Sequence, residues 1–212
     1  MSVFSLNAQY VYDRTAKVAD RLSRDLCEMN TLIMGGKIVE AFSSIADVFF
    51  SVKMPCDDNF RGAVKTLKGW SALGSLPRQV MMTAQGVYNL AMDLTFNALM
   101  GCVSNGAAVI NKAYDAASFL EKQIAIPFFA GVTDLYRKTN FQAVGVGATI
   151  RFVSALPRVE YSSFARLQAV ESAASMVLAG TMLAGGSSQL ATAASATGAF
   201  AKGLGYFSSR IF

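Results

Sequence analysis

The chain has 212 residues, 53% of them hydrophobic and only 16% charged, with a formal net charge of +5 and no histidine. A mean hydropathy of +0.37 sets it apart from ordinary soluble domains, in which about 25% of residues are charged. This length and apolar content exclude a disordered chain and a disulfide-stapled miniprotein.

Apolar residues recur at helical spacing along nearly the whole chain, and alternating runs long enough for strands are missing. The expected fold is therefore all-α, a multi-helix bundle of amphipathic and apolar helices associated with a membrane. One helical domain over 1–212 is expected. Its parts are amphipathic N-terminal helices over 1–54, a short basic helix over 58–73, apolar helices over 77–157 and small-residue-rich helices over 160–212.

From Asn7, Val11, Val18, Leu22, Leu26, Met29 and Ile33 fall on one helical face. The opposite face carries four i,i+4 pairs of opposite charge, Asp13/Lys17, Asp20/Arg24, Arg21/Asp25 and Arg24/Glu28. Gly35-Gly36 permits a bend, beyond which Ile38, Phe42, Ile45 and Phe49 continue the stripe to a turn at Met54–Asn59.

Over Phe60–Leu73, Arg61, Lys65 and Lys68 form a basic row and Trp70 stands near its end. That pattern suits a helix lying in a bilayer interface, where lysine stems snorkel and tryptophan anchors at headgroup depth. Arg61, Lys65, Lys68 and Trp70 are the candidate membrane interface. A surface helix of a soluble bundle would carry the same pattern.

Gly74 to Pro77 is expected to break the chain, with Pro77 opening a helix to about Ser104. Beyond Arg78 its only formal charge is Asp93. Asn105-Gly106 signals a turn, and a further helix follows through Leu120 until Pro127 kinks or ends it. Phe141–Leu156 is apolar around Gly145 and Gly147 and is closed by Pro157.

No charge occurs between Glu171 and Lys202, a stretch built largely from Ala, Gly, Ser, Thr, Met and Leu. It is long enough to span a membrane, which takes about 20 residues. It is weakly hydrophobic, however, and Gly185-Gly186 interrupts its centre. Gly180, Ala184 and Ser188 have small-xxx-small spacing and are the candidate helix-packing interface. A tight internal helix pair and a membrane hairpin shielded by partners both fit.

Catalytic patterns fail on inspection. Without histidine the commonest general base and metal ligand are absent. Cys27, Cys56 and Cys102 are widely separated and lack CxxC spacing. Gly35-Gly36-Lys37-Ile38 lacks the glycine spacing and the hydroxyl residue of a phosphate loop, and Gly145-Val-Gly147 lacks the third glycine of a dinucleotide motif. Asp57-Asp58-Asn59 offers fewer oxygens than calcium needs and is better explained as a helix cap. Asp93 would mark an ion route only if it lay inside a membrane. No enzyme activity, cofactor or metal is expected.

The expected function is that of a non-catalytic structural or accessory subunit of a larger membrane-associated complex, bioenergetic or otherwise organellar, packing through apolar and small-residue faces. A membrane-shaping protein is the first alternative, and a soluble helical binding domain or enzyme the second. The expected partners are other protein subunits and an anionic lipid bilayer. Nucleic acid is not expected, because the basic residues do not cluster with aromatics. The start lacks the basic and long apolar regions of a secretory signal. A membrane location is expected, with an organellar inner membrane such as the mitochondrial one among the candidates.

Overall fold

A computed structural model describes residues 29–51, 58–122, 124–129 and 131–211. Among these residues there are six α-helices and no strand. We label them α1 (residues 29–50), α2 (Asp58–Met92), α3 (Phe96–Lys122), α4 (Val132–Ala155), α5 (Ser163–Ala184) and α6 (Ser188–Ile211). Short 3₁₀ turns at Pro127–Phe129 and Leu156–Arg158 lie between α3, α4 and α5. The all-α expectation therefore holds. The charge pairs and apolar stripe before Met29, together with Cys27 and Cys56, lie outside the described residues.

Each helix packs antiparallel on its chain neighbours. From α2 to α6, the helix-to-helix packing runs α2 on α3, α3 on α4, α4 on α5 and α5 on α6. The first helix closes the circuit. Its Gly36 meets Val64 of α2, Phe42 stacks edge-on against Phe200 of α6 at 4.6 Å, and Thr31 Oγ1 lies 2.8 Å from Tyr206 Oη. The result is a ring of six helices.

Small residues set the spacing of that ring. Among the described residues, thirteen of the seventeen buried apolar ones are alanine, the others being Ile33, Val64, Phe119 and Ile150. Glycines occupy the closest crossings. A Cβ on Gly69 would run into the root of the Phe119 side chain, and one on Gly36 would come within 2.5 Å of Val64. Small-residue contacts of this kind let helix backbones approach closely and gain dispersion energy over their length.

Local caps explain where the chain turns. Thr95 Oγ1 accepts from the Ala98 amide at 3.3 Å, capping the start of α3 after the Asp93–Thr95 connection. Glu121, at the end of α3, reaches over the start of α4. Its carboxylate accepts from the amides of Gly131 and Thr133, each at 3.2 Å, and from Thr133 Oγ1 at 2.6 Å. Ser162 caps α5 through the Ala165 amide at 3.3 Å. Gly185, at φ 65°, ends the same helix in the left-handed region open to glycine.

The expected break at Gly74–Pro77 does not occur, so the short helix over 58–73 is the first part of the 35-residue α2. An internal proline removes one helix hydrogen bond and costs about 3 kcal/mol. Packing on both sides of Pro77 holds the helix through it: Gly69 seats on Phe119 before it, and Gly86 approaches the Cys102 backbone after it. The expected turn at Asn105-Gly106 also lies inside a helix, α3. There the Asn105 amide donates to the Met82 carbonyl at 3.4 Å, so the side chain joins two helices. The C-terminal stretch does divide at Gly185-Gly186 into a packed helix pair, α5 and α6.

Two substitutions test small-residue spacing. Gly69→Ala should destabilise the fold by about 1–3 kcal/mol through overpacking. Gly101→Ala, where a Cβ meets open space, should stabilise it by about 0.5–1 kcal/mol. Thermal denaturation followed by circular dichroism reads both, and equal effects would contradict the close-packing account.

The Glu121 cap makes a separate prediction. Its hydrogen bond from the Thr133 hydroxyl, followed by those from the Thr133 and Gly131 amides, holds the carboxyl below its ordinary value of 4.5. The stability it adds is present above that value and is lost as pH falls through the lowered folded-state pKa. Glu121→Gln should therefore melt lower than the parent at neutral pH and converge with it in acid. A constant difference at all pH values would show that the carboxylate charge contributes nothing.

Candidate functional site: a lysine-lined cavity

A cavity of about 620 Å³ lies among α1, α2, α5 and α6, with Asn111 contributed by α3. Its charged lining consists of Lys37, Lys65, Lys68 and Lys202 against Glu40 and Glu171. Ser44, Ser175, Thr192 and Ser195 add hydroxyls, and Met34, Leu178 and several alanines provide apolar wall. Lys65 is exposed and the Lys202 side chain is 48% exposed, so the cavity opens to solvent on their side.

The helical register brings these groups together. Lys65 and Lys68 share a face of α2, one turn apart. Glu171 and Lys202 flank the α5–α6 turn at nearly equal distances along the chain, so antiparallel packing places them side by side, with Lys202 Nζ 3.6 Å from Glu171 Oε1. Lys68 Nζ reaches Asp115 Oδ1 of α3 at 2.7 Å. Among the described residues, Lys37 and Lys112 have no carboxylate within ion-pair distance.

Lys37 is held at an electrostatic cost. Burial pushes its ammonium down from 10.5 to about 7. Repulsion from Lys202, Lys68 and Lys112 acts in the same direction, and Asp115 opposes it. Burial likewise lowers Lys112, against the attraction of Asp115 and with the help of Lys202 and Lys68. The cavity thus gathers more positive charge than its carboxylates neutralise. Such an arrangement attracts anions, and an ammonium poised near neutrality changes its charge when one arrives.

The residues expected at a membrane interface divide between two sides of α2. Arg61 points toward α1, its Nη2 donating to Ser43 Oγ at 3.4 Å, while its Nε is buried without an acceptor. Lys65 and Lys68 line the cavity. Trp70 faces elsewhere, packing on Phe119 with ring centroids 5.3 Å apart while remaining 52% exposed.

Gly180, Ala184 and Ser188 are all exposed. A Cβ on Gly180 would meet open space, and Ser188 belongs to α6, beyond the Gly185 turn. Among the described residues, Gly180 makes no close crossing. Other small residues do so: Gly145 against Ala179, Gly147 against Ala107 and Gly198 against Ala174. Asp93 is exposed in the α2–α3 connection, and Lys37, rejected as part of a phosphate loop, sits on the cavity wall.

Sequence reasoning missed Lys37, Lys202, Glu171 and Asp115 as a group. One signal was available: Glu171 and Lys202 bound the charge-free stretch symmetrically about Gly185-Gly186, which in a helical hairpin makes them neighbours. No family model, curated protein or solved structure matches the chain.

The Lys37 environment predicts a pH effect. The unfolded chain holds this proton up to about pH 10.5, whereas the folded protein releases it near 7. The unfolded state is therefore the more protonated in between, and stability rises with pH across that window. Below it the buried ammonium exerts its full cost. Lys37→Met should flatten the rise in melting temperature between neutral and alkaline pH. An unchanged slope would remove Lys37 as its source.

Proposed function

We propose that the chain is a non-catalytic accessory subunit of a larger membrane-associated complex, held there by the apolar outer faces of its helices. The observation that carries this reading is the distribution of residue size. Alanine fills the interior, while large apolar side chains are exposed on all six helices. Leu94 is 86%, Met81 72% and Leu135 73% exposed. A water-soluble domain buries its large apolar residues because their transfer supplies most of the folding free energy. Contiguous exposed apolar surface marks contact with protein or lipid.

The α2–α3 hairpin concentrates this surface. Between Arg78 and Lys112 its only formal charge is Asp93, and Val80, Met81, Met82, Val87, Met92 and Phe96 are exposed along it. Among the described residues α5 is the one helix long and apolar enough to cross a membrane. The reading therefore assigns the other helices to contact with protein neighbours and with the bilayer's edge. Exposed Gly180 and Ala184 would serve as a close-approach face for a partner helix. An organellar inner membrane, such as the mitochondrial one, is the proposed location.

The discriminating experiment is the native mass and composition of the detergent-solubilised particle. A multi-protein particle is expected. Quantitative recovery of a monomer in detergent-free, high-salt buffer would overturn the proposal. Gly180→Leu sharpens the test, because the open space around Gly180 leaves the isolated fold room for leucine. The variant should melt like the parent when purified yet co-purify with fewer partners. Undiminished assembly would remove this face from the interface.

A further inference from the structure

We propose that the cavity between α1, α2, α5 and α6 is a binding site for a phosphate-bearing organic anion. Four lysines from three helices converge on it, and two glutamates stand against them. Like charges gathered in a partly desolvated space repel one another, and each ammonium loses hydration that its neighbours do not replace. Two of the local lysines are matched: Lys68 by Asp115 at 2.7 Å and Lys202 by Glu171 at 3.6 Å. Lys37 has no such partner among the described residues. A multivalent anion supplies the missing counter-charge.

The chemistry of the wall narrows the ligand class. Lysine binds phosphate as a point charge with three rotatable donors, and several such charges around one space suit a compact multivalent anion. The hydroxyls of Thr192 and Ser195 can donate to the remaining phosphate oxygens, whereas those of Ser44 and Ser175 already donate to the Glu40 and Glu171 carbonyls, each at 2.8 Å. Met34 and Leu178 suit an organic portion, and about 620 Å³ exceeds what a bare phosphate fills, lying within the range of small-molecule sites. A soluble phosphoester and a phospholipid headgroup share this chemistry. The site is independent of the accessory-subunit reading, since it needs only the isolated fold.

Lys37 also gives the binding event a proton signature. The groups that act on it are Lys202 on α6, Lys68 on α2, and Asp115 and Lys112 on α3. Glu40 on its own helix, Lys65 on α2 and Glu171 on α5 complete the charged lining. An anion among them favours the charged ammonium, so binding at slightly alkaline pH draws in a proton.

Calorimetric titration of the full chain in detergent at low salt tests the proposal, with pyrophosphate as the soluble probe. Lipid nanodiscs containing phosphatidic acid, with phosphatidylcholine nanodiscs as the neutral control, form the second arm. Saturable binding is expected in at least one arm, weakened about tenfold or more by Lys37→Met and by Lys202→Met. Lys138→Met, at an exposed α4 lysine outside the cavity, should leave it within about twofold. The heat should vary with the ionisation enthalpy of the buffer in the parent, and lose that dependence in Lys37→Met. Lys202 is exposed, so its variant keeps the test valid if Lys37→Met fails to fold. Binding to pyrophosphate assigns a soluble phosphoester, and binding confined to phosphatidic acid assigns a lipid headgroup. Absence of saturable binding in both arms, or equal weakening by Lys138→Met, overturns the proposal.

Discussion

The close approach of helices through alanine and glycine is the constraint on which the rest of the structure depends. When the inner faces are small, each helix can lie near its chain neighbours, as at Gly69 on Phe119 or Gly147 on Ala107. The same choice leaves little apolar area inside to stabilise the fold, because burying an alanine removes far less surface from water than burying a leucine. The large residues consequently point outward, on all six helices. That exposed apolar exterior is the observation on which the proposed accessory-subunit role rests. The residue sizes that permit the ring therefore also leave its large apolar side chains on the outside.

The ring has a second consequence at its interior. Helices packed mainly on their neighbours in the circuit leave space between them, and polar side chains occupy that space where α1, α2, α5 and α6 converge. Charges there act on one another across helix boundaries, as the effects of Lys202, Lys68, Lys112 and Asp115 on Lys37 show. Apolar outer faces and a cationic interior are two sides of one arrangement. Small residues dominate the crossings, and the space left between helices is wide enough for lysine stems to reach in.

Helical character was legible almost everywhere because the spacing of apolar residues is a local property. The α5–α6 hairpin was also legible: Gly185-Gly186 interrupts a charge-free run, and a glycine at φ 65° closes α5. Breaks at Gly74–Pro77 and Asn105-Gly106 were misread for a common reason. Turn chemistry states what a segment can do in isolation, whereas packing of α2 along α3 holds both segments helical. The actual turn, Asp93–Thr95, carried a quieter signal in the Thr95 cap of Ala98. Asp93 drew attention as a charge among apolar residues and obscured that cap.

The sequence by itself determined an all-helical chain with unusually few charges, a C-terminal helix pair joined at a glycine turn, and a scarcity of complete catalytic patterns. These follow from composition and from spacings of three and four residues, which do not depend on distant parts of the chain. Only the tertiary structure decided which faces are inside, how far α2 extends, and that Lys37, Lys68 and Lys202 meet around one cavity. Those outcomes depend on which helices become neighbours and at what register. A row of lysines on one helix reads equally well as a lipid-facing surface or a cavity wall until the opposite helices are in place.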